Sequence, residues 1–379
     1  MTNRERFIAT INRQVPDKIP VGKVDFCGTL LKVFREKTGA SDPNVYFKIP
    51  TRLLGGWASG AGGAMVGGTH MWKGDIDYSA YIPPIPNEGR LLVKGDGYLI
   101  GDDDMEVYLF PLRAMNSLDE LYKYPWWEVE RKAGVARSWQ ELRQKVTGLK
   151  EQDLFVLGWV GNPFETAWKL RGFERLLLDF YDFPEFAEAL LDLSTEACCV
   201  NAEYIAKAGA DLLFMYDDIA MDTGLMISPE MFRKWLMPRY KKIIQTARSI
   251  IPDLPAFFHT DGNATEMIPL IIESGFTILN PVQPECMDPV EVKRQFGARM
   301  TFWGTVGVQH TMPFGSRDDI RAEVKRRMET IGQGGGFVLS PAQTLYPDVP
   351  WDNIIAFFEA AEEFGSYHLK NNRRISCKR

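Results

Sequence analysis

The chain has 379 residues, 45% of them apolar and 25% charged, with a formal charge of −6. A length of this order suits a single barrel with insertions and a core large enough to need no disulfide or metal staple, and the composition is that of a folded globular protein. The acidic balance excludes the clustered basic face of a nucleic-acid binder, and no run of about 18 apolar residues marks a membrane span.

In chain order, Thr2 and Glu5 have capping-box spacing, and Phe7, Ile8 and Ile11 form an apolar stripe, so the opening segment reads as a helix. It lacks the apolar stretch of a secretory signal, from which a cytoplasmic location is expected. An early strand is expected at 19–24, and one further strand lies at an unplaced position between Gly39 and Tyr108. Residues 50–130 differ from the rest: 55–63 is glycine-rich, and 81–87 carries three prolines. Lys94-Gly95-Asp96-Gly97 reads as a hairpin turn between 91–93 and 98–100. The glycine run lacks the Lys-Ser/Thr of a phosphate-binding loop, so 50–130 is read as a cap over one end of the fold, with a mobile loop above the site.

Beyond residue 150, apolar β-rich runs alternate with long amphipathic stretches. Strands are expected at 154–160, 211–216, 256–259, 277–281, 300–304 and 336–340. The helices between and after them fall at 186–205, 229–249, 264–273, 317–331 and 351–364. Strands separated by such helices make βαβ units and a parallel sheet. No Gly-x-Gly-x-x-Gly follows a strand, so the expected architecture is an α/β fold of the (β/α)8 TIM-barrel type rather than a dinucleotide-binding sheet. The whole chain, 1–379, reads as one such domain with a basic tail at 370–379. The five cysteines read as reduced thiols. Cys286 alone is kept as a possible ligand.

In such a barrel the C-terminal ends of the strands face the active site. Polar residues recur there: Asp217 and Asp218, then His259, Thr260 and Asp261, then Gln283, then Gln309, then Gln343 and Tyr346. Residues i and i+2 on an extended segment point the same way, so His259 and Asp261 converge on one point. The pair suits a shared metal ion, or a carboxylate tuning an imidazole as acid or base. Asp218 or Cys286 would supply a third ligand. Neighbours on a strand face opposite ways, and of Asp217 and Asp218 the latter is taken as the catalytic one. Gln283, Gln309, Gln343, Tyr346 and His70 are candidates for substrate contact, while His310 and His368 read as structural or exposed. Glu165 opens a helix, an electrostatically favourable place for a carboxylate.

Several blocks carry a family likeness. They are Glu5-Arg6-Phe7-Ile8 with Val15-Pro16-Asp17-Lys18-Ile19-Pro20-Val21, then Gly161-Asn162-Pro163-Phe164-Glu165, then Asp217-Asp218-Ile219 with Ile227-Ser228-Pro229-Glu230. Phe258-His259-Thr260-Asp261-Gly262, Gly334-Gly335-Gly336-Phe337 and Val349-Pro350-Trp351-Asp352-Asn353-Ile354 follow in order. With these the chain resembles the uroporphyrinogen decarboxylase superfamily, which includes the decarboxylase and corrinoid-dependent methyltransferases. The decarboxylase is known for an early Arg-Gln-Ala-Gly-Arg motif that grips substrate carboxylates, and residues 22–52 hold no such motif. The methyltransferase branch typically binds zinc through His-x-Cys and a later cysteine. Here His259 matches the histidine, but Asp261 and Gln343 stand where the cysteines would be.

The resemblance therefore implies a methyltransferase component taking a methyl group from a small methylated or methoxylated compound to a corrinoid, with a divalent metal such as zinc held by His259 and Asp261. An oxygen-rich site suits an ether, alcohol or amine donor better than a thiol acceptor. No Asp-x-His-x-x-Gly motif occurs, so the corrinoid would arrive on a separate protein. Such proteins are often monomers or homodimers. The alternatives are a decarboxylase-like lyase acting on a tetrapyrrole or other carboxylated substrate, and a non-catalytic ligand-binding barrel.

Overall fold

A computed structural model describes residues 1–54, 91–93, 98–100, 106–125 and 139–367. The strands are β1 (Thr51–Leu54), β2 (Leu91–Val93), β3 (Tyr98–Ile100), β4 (Glu106–Tyr108), β5 (Phe155–Gly161) and β6 (Leu212–Tyr216). They continue with β7 (Ala220–Met221), β8 (Gly224–Leu225), β9 (Ala256–His259), β10 (Ile278–Asn280), β11 (Thr301–Trp303) and β12 (Phe337–Val338). Seven of them form one parallel, curled sheet in the order β1-β5-β6-β9-β10-β11-β12. β1 is the strand that could not be placed by sequence, four residues with an arginine inside. The expected strand at 19–24 is not a ladder strand: Val21 bridges Leu339 and Phe26 bridges Leu345, both parallel, so the segment runs along the edge beyond β12. Of the eight strands expected, the described residues thus form seven in ladders and one as isolated bridges. The expected hairpin is present as β2 and β3 paired antiparallel, with β4 added. Most of the expected cap, including the 55–63 glycine run, the loop above the site and His70, and the 370–379 tail, lies outside the described residues.

Side chains alternate across the sheet, as a period of two requires. Phe155 and Leu157 of β5, Leu212 and Phe214 of β6, Phe257, Ile278, Trp303 and Val338 turn inward and pack with one another. Val156, Leu213, Phe258, Leu279, Phe302 and Phe337 turn outward against the helices. The helix Asn3–Ile11, started by the Thr2–Glu5 capping box, fills the lower end of the curl. Its Phe7 stacks on Phe155 at 5.0 Å and meets Trp303 at 5.6 Å. Thr301 Oγ1 donates to the Ile11 carbonyl at 3.1 Å. Gly22 shows how closely the 19–26 segment approaches, since a Cβ there would lie 2.3 Å from the Trp303 indole.

Outside the sheet, the 25-residue helix Pro184–Ala208 lies against β5 and the helix Met237–Arg248. The helix expected at 229–249 runs without a break from Pro229 to Arg248, with a π-turn at Phe232–Leu236. Pro238 removes a backbone donor just beyond it, and a wider turn accommodates that loss. Fully buried Arg171 pairs with Asp179 at 2.6 Å and donates to the carbonyls of Leu112 and Met115, fastening 109–115 beneath the helix Pro163–Arg171.

Candidate functional site

The inward positions one step above the apolar interior are Trp159, Tyr216, His259 and Asn280, at the C-terminal ends of β5, β6, β9 and β10. Register places Tyr216 beside His259 and His259 beside Asn280. With Leu53, Phe214, Phe257 and Trp303 below, and Lys23, Asp25, Lys169, Gln343 and Tyr346 around the rim, they enclose a cavity of about 420 Å³. That is toward the small end of ligand sites.

His259 is buried, its ring stacked on Tyr216 at 4.5 Å. Its Nδ1 lies 2.6 Å from Asn280 Oδ1, and its Nε2 lies 3.6 Å from Asp261 Oδ1. Asp218 accepts from the Asp261 backbone N–H at 2.8 Å. Donor atoms of Asp218, His259 and Asp261 all lie within 4.8 Å of one another. Asp261 Oδ2 accepts from Gln343 Nε2 at 2.5 Å, but Asp261 Oδ1 is buried with no hydrogen-bond partner. Burial, with the charges of Asp261 and Glu165 beside it, holds the Asp218 carboxyl well above the usual carboxylate range. Two carboxylates, one of them with an orphaned buried oxygen, and one imidazole make a donor set that fits a divalent cation with nitrogen and oxygen ligands. Among the described residues no cysteine joins the cluster. Cys286 bonds Asp222 at 3.4 Å instead, and burial with that carboxylate pushes its thiol up to about 12, away from the thiolate a metal needs.

Asp217 and Asp218 divide their work as strand alternation predicts. Fully buried Asp217 accepts from the backbone N–H groups of Phe164 and Glu165 and from the Tyr240 hydroxyl at 2.8 Å, capping the helix Pro163–Arg171 from behind the sheet. Burial pushes it up to about 8 against those donors. Glu165 forms a buried ion pair with Lys169 at 2.7 Å and accepts from Asn162 at 3.0 Å. Lys23 pairs with Asp25 across the cavity rim.

Of the substrate-contact candidates, Gln343 and Tyr346 line the cavity. Two others are corrected. Gln283 is buried beneath the turn after β9, its Oε1 accepting from the Gly262 N–H at 3.1 Å, and so braces Asp261 from outside the cavity. Gln309 lies on the outer rim, its side chain donating to Asp222 at 3.2 Å, because the loop after β11 runs outward past Glu285. His310 is exposed, and His368 lies outside the described residues. Sequence reasoning passed over Lys23, Asp25, Lys169 and Asn280. Lys23 and Asp25 share i, i+2 spacing in an apolar run, and Glu165 and Lys169 have the i, i+4 spacing of a helical ion pair.

A curled parallel sheet with a polar cavity at its C-terminal end is the arrangement of an α/β enzyme. The family profile described as "Uroporphyrinogen decarboxylase (URO-D)" matches residues 109–364, and the chain belongs to that family. It is 28% identical over 212 residues to the methylcobamide:CoM methyltransferase MtaA of Methanosarcina barkeri, a match covering 56% of this chain and 59% of MtaA. The chain thus spans about three fifths of that relative's length. It is 26% identical over 312 residues to uroporphyrinogen decarboxylase 2 of Oryza sativa subsp. japonica, covering 77% of this chain and 72% of the relative. Among solved structures, a methyltransferase from Methanosarcina mazei shares the fold, with a TM-score of 0.60 and 21% identity over 96% of this chain and 99% of its own. Among the described residues no helix is long and apolar enough to cross a membrane.

Proposed function

We propose that this chain is a methyltransferase component, taking a methyl group from a small methylated or methoxylated compound and passing it to a corrinoid carried by a separate protein. The observation that carries the reading is the Asp218–His259–Asp261 cluster, with its orphaned Asp261 oxygen, whose His259 and Asp261 line a cavity of about 420 Å³. His259, Asp261 and Asp218 would hold a divalent cation, zinc being the first candidate. When bound, it supplies Lewis acidity at the heteroatom from which the methyl group leaves. The residues themselves bind and orient. Trp159, Phe214, Tyr216 and Trp303 give the donor an apolar bed and exclude water from it, while Gln343 braces Asp261 and closes the cluster from above. The oxygen-rich donor set favours an ether, alcohol or amine over the thiol for which thiolate ligands tune a zinc site.

The likeness to MtaA supports methyl transfer. The likeness to uroporphyrinogen decarboxylases over a larger share of the chain supports the second reading, a lyase acting on a carboxylated substrate. Against that reading, the lysines bordering the cavity each already face a carboxylate of the chain, and Arg52 of β1 donates to the Ile49 and Thr51 carbonyls instead of entering the cavity. Elemental analysis of purified wild type and His259→Ala, paired with methyl transfer from methoxylated and methylated donors to a reduced corrinoid, tests the choice. A near-stoichiometric divalent metal and methylated corrinoid, both lost in the variant, support the proposal. Porphyrinogen decarboxylation with no corrinoid methylation overturns it.

A further inference from the structure

We infer that Asn280 is a positioning residue that fixes the neutral His259 ring as its Nδ1–H tautomer, so that the Nε2 lone pair faces the Asp218 and Asp261 carboxylates. Asn280 is 8% exposed and sits beside His259 in the β9–β10 register. Its amide orientation is set from below, since Nδ2 donates to the Trp303 carbonyl at 2.9 Å. Oδ1, which can only accept, therefore points at His259 Nδ1 from 2.6 Å, and Nδ1 must carry the proton.

The far side of the ring agrees independently. Gln343 Nε2, which can only donate, lies 3.5 Å from His259 Nε2. Asp261 Oδ1 lies 3.6 Å from the same nitrogen and has no hydrogen-bond partner. A proton on Nε2 would make that buried carboxylate oxygen its acceptor, and the separation is too long for such a bond. The Tyr216 stack holds the ring plane.

Space for the amide comes from Gly304. It has a φ of +76°, and a Cβ there would lie 2.8 Å from Asn280 Nδ2. Any other residue would be strained in that backbone and would press on the amide. The direction of one lone pair is thus tied, through Asn280 and Trp303, to the apolar interior of the sheet. The tautomer assignment stands alone. Its use as a cation ligand rests on the reading proposed above.

The test is nitrogen-15 NMR of histidine-labelled protein, His259 being assigned with His259→Gln among only four histidines. Wild type is expected to show a protonated, pyrrole-type Nδ1 and an unprotonated, pyridine-type Nε2. Asn280→Leu removes the acceptor and is expected to shift the ring toward Nε2–H, whereas Asn280→Asp keeps an acceptor and restores the wild-type pattern. Calorimetric titration with Co²⁺ should then show binding about 10–100-fold weaker in Asn280→Leu and within a few-fold of wild type in Asn280→Asp. A protonated Nε2 in wild type overturns the inference, and that spectrum needs no variant to fold. An unchanged tautomer in folded Asn280→Leu also overturns it. An Nδ1–H wild type that takes up no Co²⁺ confirms the tautomer and removes the cation from the proposed function, so the two readings fail separately.

Discussion

Two sets of carboxylates serve the same cavity, and the chain treats them differently. Glu165 has the Lys169 ammonium at 2.7 Å with both side chains buried, and Asp25 has Lys23. Asp218 and Asp261 have only neutral donors, a backbone N–H and the Gln343 amide, and among the described residues neither pairs with a lysine or arginine. For Glu165 and Asp25 this chain supplies the counter-charge itself, whereas the helix-capping Asp217 is held by neutral donors alone. Where two carboxylates and an imidazole converge without one, the counter-charge is left to a proton or a cation from solution.

The largest effect expected from that contrast is on the unpaired side. Asp261→Ala or His259→Ala should lower the proposed methyl transfer to a corrinoid about 10³-fold, roughly 4 kcal/mol of transition-state stabilisation, while the folded protein persists in thermal denaturation. Equal turnover in either variant would break the comparison. On the paired side the effect should fall on stability. Lys169→Met leaves Glu165 buried without its partner and should cost about 3–5 kcal/mol in urea unfolding, and adding Glu165→Gln should recover much of the loss. A third measurement is differential scanning calorimetry with added Zn²⁺ or Co²⁺. At 100 times Kd a cation that binds only the folded chain adds about 2.7 kcal/mol, and Asp218→Asn should reduce the shift while Lys23→Met leaves it.

The smallest effect lies far from the cavity. Burial, with Arg13 nearby, lowers the Lys293 ammonium from an ordinary 10.5 to about 8. Between those values the unfolded chain binds more protons than the folded one, so this lysine makes stability rise as pH climbs from about 8 to about 10.5. Urea midpoints at the two ends of that window should differ less in Lys293→Met than in wild type.

Much of this was legible in the sequence, and the residues show why the rest was not. The strands expected at 154–160, 211–216 and 256–259 appear within about a residue, because inward and outward faces are both covered and the whole run is apolar. β1, Thr51-Arg52-Leu53-Leu54, is too short and too polar at its second position to stand out. His259 and Asp261 could be paired from their spacing alone. That Asn280 belongs with them depends on the β9–β10 register, which spacing within one strand does not carry. Gln283 and Gln309 were misplaced for the related reason that a loop's position after a strand does not fix the direction in which it leaves.

The helix Asn3–Ile11 has a consequence for how the chain folds. Its Phe7 fits between Phe155 and Trp303, and the Ile11 carbonyl bonds Thr301, a partner 290 residues away along the chain. A segment made long before β11 and β12 therefore waits for them, because the floor it completes does not exist until those strands have been synthesised. Such long-range closure slows folding and leaves the apolar face of Phe7 and Ile11 uncovered during translation. The capping box at Thr2 and Glu5 lowers the cost of forming that short helix once it docks, since nine residues alone are too few to hold a helix in water.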